Sequence, residues 1–162
     1  MSVILIGFGV TLGALVVQGI AVTVGVETIG ALLAKRLVGI QVWRNGVATI
    51  LFVTILLTGH LGQMAVWATA YMAAGEFDAF GAAFYHAAVN YTTLGYGDIV
   101  MSPRWRLLGP QAAASGTLAF GWSTAAIVTV VIRLTRYRHR AEVREESRGR
   151  SRETREAQPA PQ

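Results

Sequence analysis

Residues 92–98 read Thr-Thr-Leu-Gly-Tyr-Gly-Asp. Gly95 and Gly97, at alternate positions, can take backbone angles closed to residues with a Cβ. The run follows a short apolar stretch, Phe77 to Thr92, with Asp78 near its start. That stretch is too short to cross a bilayer and reads as re-entrant. Non-helical backbone at membrane depth is tolerated only where protein buries it or where it lines a wet cavity. The sequence therefore asks for a pore or a polar cavity after Thr92. Side chains elsewhere offer no competing chemistry. There is no cysteine, and His60, His86 and His139 are spread along the chain. No nucleophile–base pair, metal-ligand cluster or phosphate-binding loop is present, so a hydrolase or metalloenzyme has little to stand on.

The elements that must hold this segment are legible in the hydropathy. Apolar residues make up 53% of the 162 positions and charged residues 14%, against about 25% charged in an average soluble domain. This excludes a disordered chain, a collagen-like chain and a disulfide scaffold. Met1 to Val26, Asn45 to Gly75 and Leu107 to Ile132 contain no charge. Each is long enough to cross a hydrocarbon core of about 30 Å. The chain is expected to be an all-α membrane protein with three transmembrane helices.

The net charge of +5 is unevenly placed. Residues 133–162 hold nine Arg and five Glu, a balance of +4, and residues 1–132 hold five Lys or Arg against four Asp or Glu, a balance of +1. Lys35, Arg36 and Arg44 lie between the first two spans, and Arg133, Arg136, Arg138 and Arg140 follow the third. The positive-inside tendency makes both regions cytoplasmic. The N-terminus and the loop around Glu76, Asp78 and Asp98 then face outward, with Arg104 and Arg106 a minority exception. The protein is expected in the cell membrane as a multi-pass chain. The first span lacks the basic region of a signal peptide and the repeated Arg of a voltage sensor. Its Gly9 and Gly13 have the spacing of a close-packing motif, expected against the second span. Residues 140–162 have almost no large apolar side chains and read as disorder or a frayed helical extension. Their first arginines suit anionic lipid, and nothing accompanies them that would read nucleic acid.

The 92–98 run resembles the selectivity-filter motif of potassium channels, T-V-G-Y-G-D. Thr93, Gly95, Tyr96, Gly97 and Asp98 match it, and Leu94 stands where Val or Ile is commoner. Gly116, Phe120, Gly121, Thr124 and Ala125 match that family's inner-helix pattern, G-x-x-x-F-G-x-x-T-A. The resemblance runs from about Gly46 to Arg133 and is to a small bacterial two-span pore with one extra N-terminal helix. It implies a tetrameric pore in which four chains supply rings of carbonyls that replace the ion's hydration shell. Ion sites are then expected at Thr93, Leu94, Gly95, Tyr96 and Gly97, with K⁺ at the first four. K⁺ is the permeant ion, and no cofactor is implied. The implied organisation is an N-terminal helix at 1–33, a cytoplasmic loop at 34–45, a pore unit at 46–133 and a basic tail at 134–162. Within the pore unit the outer helix takes 46–75, the pore helix 77–92, the filter 93–98 and the inner helix 105–133.

The resemblance also assigns supporting roles. Asp98, Tyr85, His86 and Val89 surround the filter. His86 is expected to pack and hydrogen-bond, with Tyr96 a candidate partner, or else to titrate near neutral pH as a sensor, and Val89 stands where some members have a carboxylate, leaving Asp98 without a known partner. Tyr96 is expected to brace the filter against the pore helix. Gly116 is a gating hinge or a close-packing glycine, and Phe120, Gly121 and Thr124 fall in the hinge and cavity region. His60 and Gln63 are expected to make interhelical hydrogen bonds, with Gln18 a candidate partner. Trp43, Trp67, Tyr71 and Trp105 read as interface anchors, and Trp122 as packed between helices. The functional expectation is a homotetrameric potassium-selective channel. A non-selective cation channel and a non-conducting membrane subunit or scaffold are the alternatives.

Overall fold

The computed structural model describes residues 2–35, 37–39 and 41–156. Residues 157–162, the end of the expected tail, lie outside the described residues. Four helices follow one another: α1 (Val3–Ala34), α2 (Val42–Ala73), α3 (Phe80–Tyr91) and α4 (Leu108–Glu156). There is no strand among the described residues. α1 and α2, 32 residues each, are about 48 Å long. With Leu108–Arg144 they are long and apolar enough to cross a membrane.

Apart from Gln18, Glu27 and its threonines, α1 is apolar all round, as suits a helix between protein and lipid. Ala14, Gln18, Ala21, Gly25, Ile29 and Leu33 are buried, and Ile4, Phe8, Leu12, Val16 and Ile20 are exposed on the other side. The buried stripe packs on α2 and α4. Small residues set that approach: a Cβ on Gly59 would lie 2.6 Å from Ala21 Cβ. Gly9 and Gly13 are not in this interface, because a Cβ on either would meet no atom within 4 Å. Their spacing therefore marks an outward face, contrary to the sequence expectation.

α2 stops in a Schellman motif. Gly75 has φ +76°, its N–H donates to Met72 O at 2.9 Å, and Glu76 N–H donates to Tyr71 O at 3.2 Å. This satisfies carbonyls that the helix end would leave open. The turn delivers Glu76 to Ser102, whose N–H and hydroxyl donate to its carboxylate at 2.7 and 2.5 Å. Those bonds hold the Glu76 carboxyl below its ordinary range, and they join the loops before α3 and before α4.

Two apolar clusters build the bundle. One gathers Trp67, Tyr71, Ala83, Ala87, Tyr91 and Leu108, and the other Ile29, Leu33, Phe52, Leu56 and Val130. Trp67 and Tyr71 are 0% exposed, so they are core residues rather than interface anchors. Docking of the short α3 against α2 covers them, with the rings of Tyr71 and His86 5.4 Å apart. Trp43 is exposed, Trp105 packs on the first cluster, and Trp122 lies against Gly19 of α1.

α4 continues without a break to Glu156. Where composition left disorder or helix open for residues 134–156, the structure has helix. Arg and Glu are strong helix formers, and an Arg138–Glu142 ion pair at 3.2 Å spans one turn of it.

Candidate functional site

α3 aims its carboxyl end at the 92–98 segment. That end is a second Schellman motif. Thr93 N–H donates to Asn90 O at 2.9 Å and Leu94 N–H to Val89 O at 3.0 Å. The αL position, usually glycine, is held by Thr93 at φ +63°. A β-branched residue there is a true outlier, costing about 1–3 kcal/mol. Gly95 N–H also reaches Val89 O, at 3.2 Å. Val89 thus supports the segment through its carbonyl, while its side chain is buried.

Positive φ then recurs at every second residue: +63° at Thr93, +61° at Gly95 and +73° at Gly97. Leu94 and Tyr96 between them are exposed in the single chain, and Tyr96 makes no hydrogen bond to α3 among the described residues. At the far end Tyr85 donates its hydroxyl to Asp98 Oδ2 at 2.7 Å, and Ile99 N–H donates to Oδ1 at 3.0 Å. The Tyr85 bond, with the Ile99 N–H, holds the Asp98 carboxyl below its ordinary value of 3.8. Tyr85 is therefore the partner that sequence could not name for Asp98. The expected His86–Tyr96 bond is replaced by another arrangement: His86 is buried, with Asn90 Nδ2 3.1 Å from its Nε2 and the Phe77 ring at 5.2 Å.

Behind the segment lies a buried polar chain through all four helices. Gln63 Nε2 donates to Gln18 Oε1 at 2.7 Å, and Gln18 Nε2 donates to Ser123 Oγ at 2.6 Å. His60 Nε2 is 2.9 Å from Ser123 Oγ, and its Nδ1 is 2.8 Å from the Tyr91 hydroxyl. Since Ser123 accepts from Gln18, its own proton is free for His60, and a neutral imidazole with Nδ1–H toward Tyr91 completes the run. The Gln18–Gln63 contact agrees with the sequence reading. Tyr91 and Ser123 were missed, although a serine seven positions beyond Gly116 in an apolar span is a polar group in need of a partner.

Phe120 closes over this chain, its ring centroid 4.7 Å from His60 and 5.5 Å from Tyr91. Gly116 faces α3: a Cβ there would overlap the Tyr91 carbonyl oxygen and lie 2.9 Å from its carbon. Gly121 has open space instead. Thr124 is exposed in the single chain, its hydroxyl donating back to Phe120 O at 2.9 Å. The structure brings Tyr85, Val89, Asp98, Gly116 and Phe120 around α3 and leaves Gly121 and Thr124 on an open face of α4.

His60→Leu is expected to strand the Tyr91 hydroxyl and half of Ser123, lowering stability by about 1–2 kcal/mol per chain. Thermal unfolding of the purified protein in detergent reads this. An unchanged midpoint would mean the imidazole contributes nothing to packing.

Residues 47–133, more than half of the chain, match the family model described as "Ion channel". The match takes in nearly all of α2, all of α3, the 92–98 segment and the first half of α4. No curated protein and no solved structure matches the chain.

Proposed function

Because the chain belongs to the ion channel family, of the two-span potassium-channel pore type, we propose that four copies assemble into a pore that conducts K⁺ selectively and passively. Such a chain is a multi-pass membrane protein, and the family is not an enzyme class. The observation that carries the selectivity reading is the alternation of φ sign at Thr93, Gly95 and Gly97. In an extended strand successive carbonyls point to opposite sides. Turning over alternate peptide planes brings them to one side, as a row of ion sites requires. Thr93 adds its hydroxyl at the inner end of that row. Four rows facing one another would replace a hydration shell at little net cost, and several neighbouring sites keep each one weak enough for release.

The exposure of Leu94, Tyr96 and Thr124 in one chain supports an assembly whose other members cover them. The carboxyl end of α3 adds about half a negative charge toward the cavity, which favours a waiting cation. The positive-inside tendency of the basic segments supports an N-terminus outside and a tail in the cytoplasm.

Flux from potassium-loaded liposomes containing the purified protein tests the proposal. Barium-sensitive efflux with strong preference for K⁺ over Na⁺ is expected. Equal flux of both ions would point to a non-selective channel, and no flux at any pH, voltage or calcium level to a non-conducting scaffold.

The Tyr85–Asp98 bond gives a pH dependence with a definite sign. A carboxylate with a lowered pKa keeps its charge until pH falls through that lowered value. Flux is therefore expected to hold down to about pH 3.8 on the filter side and to fall only below it. Tyr85→Phe removes the largest cause of the lowering, so its flux should fall at higher pH. Identical midpoints for the two proteins would remove Tyr85 from the filter's support.

A further inference from the structure

Where the basic segment leaves the bundle, α1 and α4 border an open cavity of about 820 Å³, within the roughly 300–1,000 Å³ usual for small-molecule sites. Gly30 and Leu33 of α1 form one wall, and Ile132, Arg133, Arg136 and Arg140 of α4 form the other. The arginines recur at three and four residues, which puts them on one helix face. None of the three has a carboxylate within ion-pair distance among the described residues. Glu27, the acidic residue of α1, does not line the cavity.

Three uncompensated guanidinium groups beside an apolar wall call for an amphiphilic anion. Guanidinium forks match phosphate oxygens two at a time. From the arginines the lining runs through Ile132 and Thr129 of α4 and Gly30 of α1 toward the middle of the spans, where acyl chains lie. Lipids of that leaflet are the anions present at this depth. We propose that the cavity binds the phosphate headgroup of an anionic membrane lipid, its chains running along the groove between α1 and α4. The bound lipid would fasten the extra helix to the helix that carries Phe120 and Thr124. This rests on the membrane reading of the spans and on the attraction of the tail to anionic lipid, and it is independent of ion selectivity.

The test uses the full chain, assembled in detergent and titrated with phosphatidylglycerol or with phosphatidylcholine of equal chain length. Bound lipid is counted by native mass spectrometry. Phosphatidylglycerol is expected to be retained in preference. Arg136→Gln should weaken it about fivefold. Arg138→Gln removes the same charge from outside the cavity and should leave affinity unchanged. Gly30→Phe fills the cavity without changing charge and should also weaken binding; a Cβ there meets no atom within 4 Å. Equal weakening by Arg136→Gln and Arg138→Gln would reduce the site to a diffuse field and overturn it. So would wild-type binding by an assembled Gly30→Phe protein, or displacement of the lipid by inorganic phosphate alone. Should Gly30→Phe not assemble, the two arginine variants decide. Because the readout involves no ion flux, its failure leaves the channel proposal standing, and a failed flux assay leaves this site testable.

Discussion

Replacing Gly95 by alanine is expected to cut potassium-selective flux by at least about tenfold while the chain still inserts and assembles. Gly95 sits at φ +61°, where a Cβ costs about 1–2 kcal/mol. Summed over the four copies of the proposed assembly that is roughly 4–8 kcal/mol, well above the ~1.4 kcal/mol that corresponds to a tenfold change in an equilibrium. No neighbouring atom within the chain would meet the added methyl, so the effect comes from the backbone rather than from crowding. Relief by a return to negative φ would turn one carbonyl in each chain away from the row. Thr93 shows what it takes to hold a side chain at such an angle: two hydrogen bonds of the helix-ending motif enclose it. Gly95 has one bond, the longer 3.2 Å contact to Val89 O. Size-exclusion chromatography separates assembly from conduction, and liposome flux with K⁺ and Na⁺ reads selectivity. Wild-type selective flux through an assembled Gly95→Ala protein would sink the filter assignment.

The parts of this site legible in sequence are those where a backbone demand leaves few residue choices. Alternating glycines beside a re-entrant stretch are such a case, and the positive φ values fall on Gly95 and Gly97. The Gln18–Gln63 contact was also legible, because polar groups in apolar spans must find each other. What hydropathy could not supply was rotation. Whether Ser123 faces His60 depends on how α4 turns about its axis, and no count of apolar residues records that. Trp67 and Tyr71 misled for a related reason. Their positions near the end of a span suit a lipid interface, until α3 docks there and buries both. Residues 134–156 misled through burial itself. A segment with no apolar face need not be irregular when Arg and Glu recur at helical spacing, as Arg138 and Glu142 do.

Gly116→Ala separates the two roles the sequence left open for this glycine. If it served only as a hinge, alanine, the better helix former by up to about 1 kcal/mol, would straighten or stabilise α4 and alter opening alone. The geometry predicts a different result. The new Cβ would overlap the Tyr91 carbonyl oxygen and crowd its ring Cγ at 3.1 Å. Backbone atoms cannot rotate away as a side chain can, so α3 or α4 must move. α3 is poorly placed to yield, because Tyr91 is tied to His60 at 2.8 Å and packed against Phe120. Tyr91 is also two residues before Thr93, whose unusual angle depends on the bonds that end the helix. Overpacking of this kind costs about 1–3 kcal/mol per chain, and the displacement would pass directly into the filter segment. We therefore expect assembled Gly116→Ala to unfold at lower temperature and to lose selective flux together. Stability at or above wild type with only the open fraction changed would return Gly116 to the hinge role and leave the α3–α4 contact without consequence for the pore.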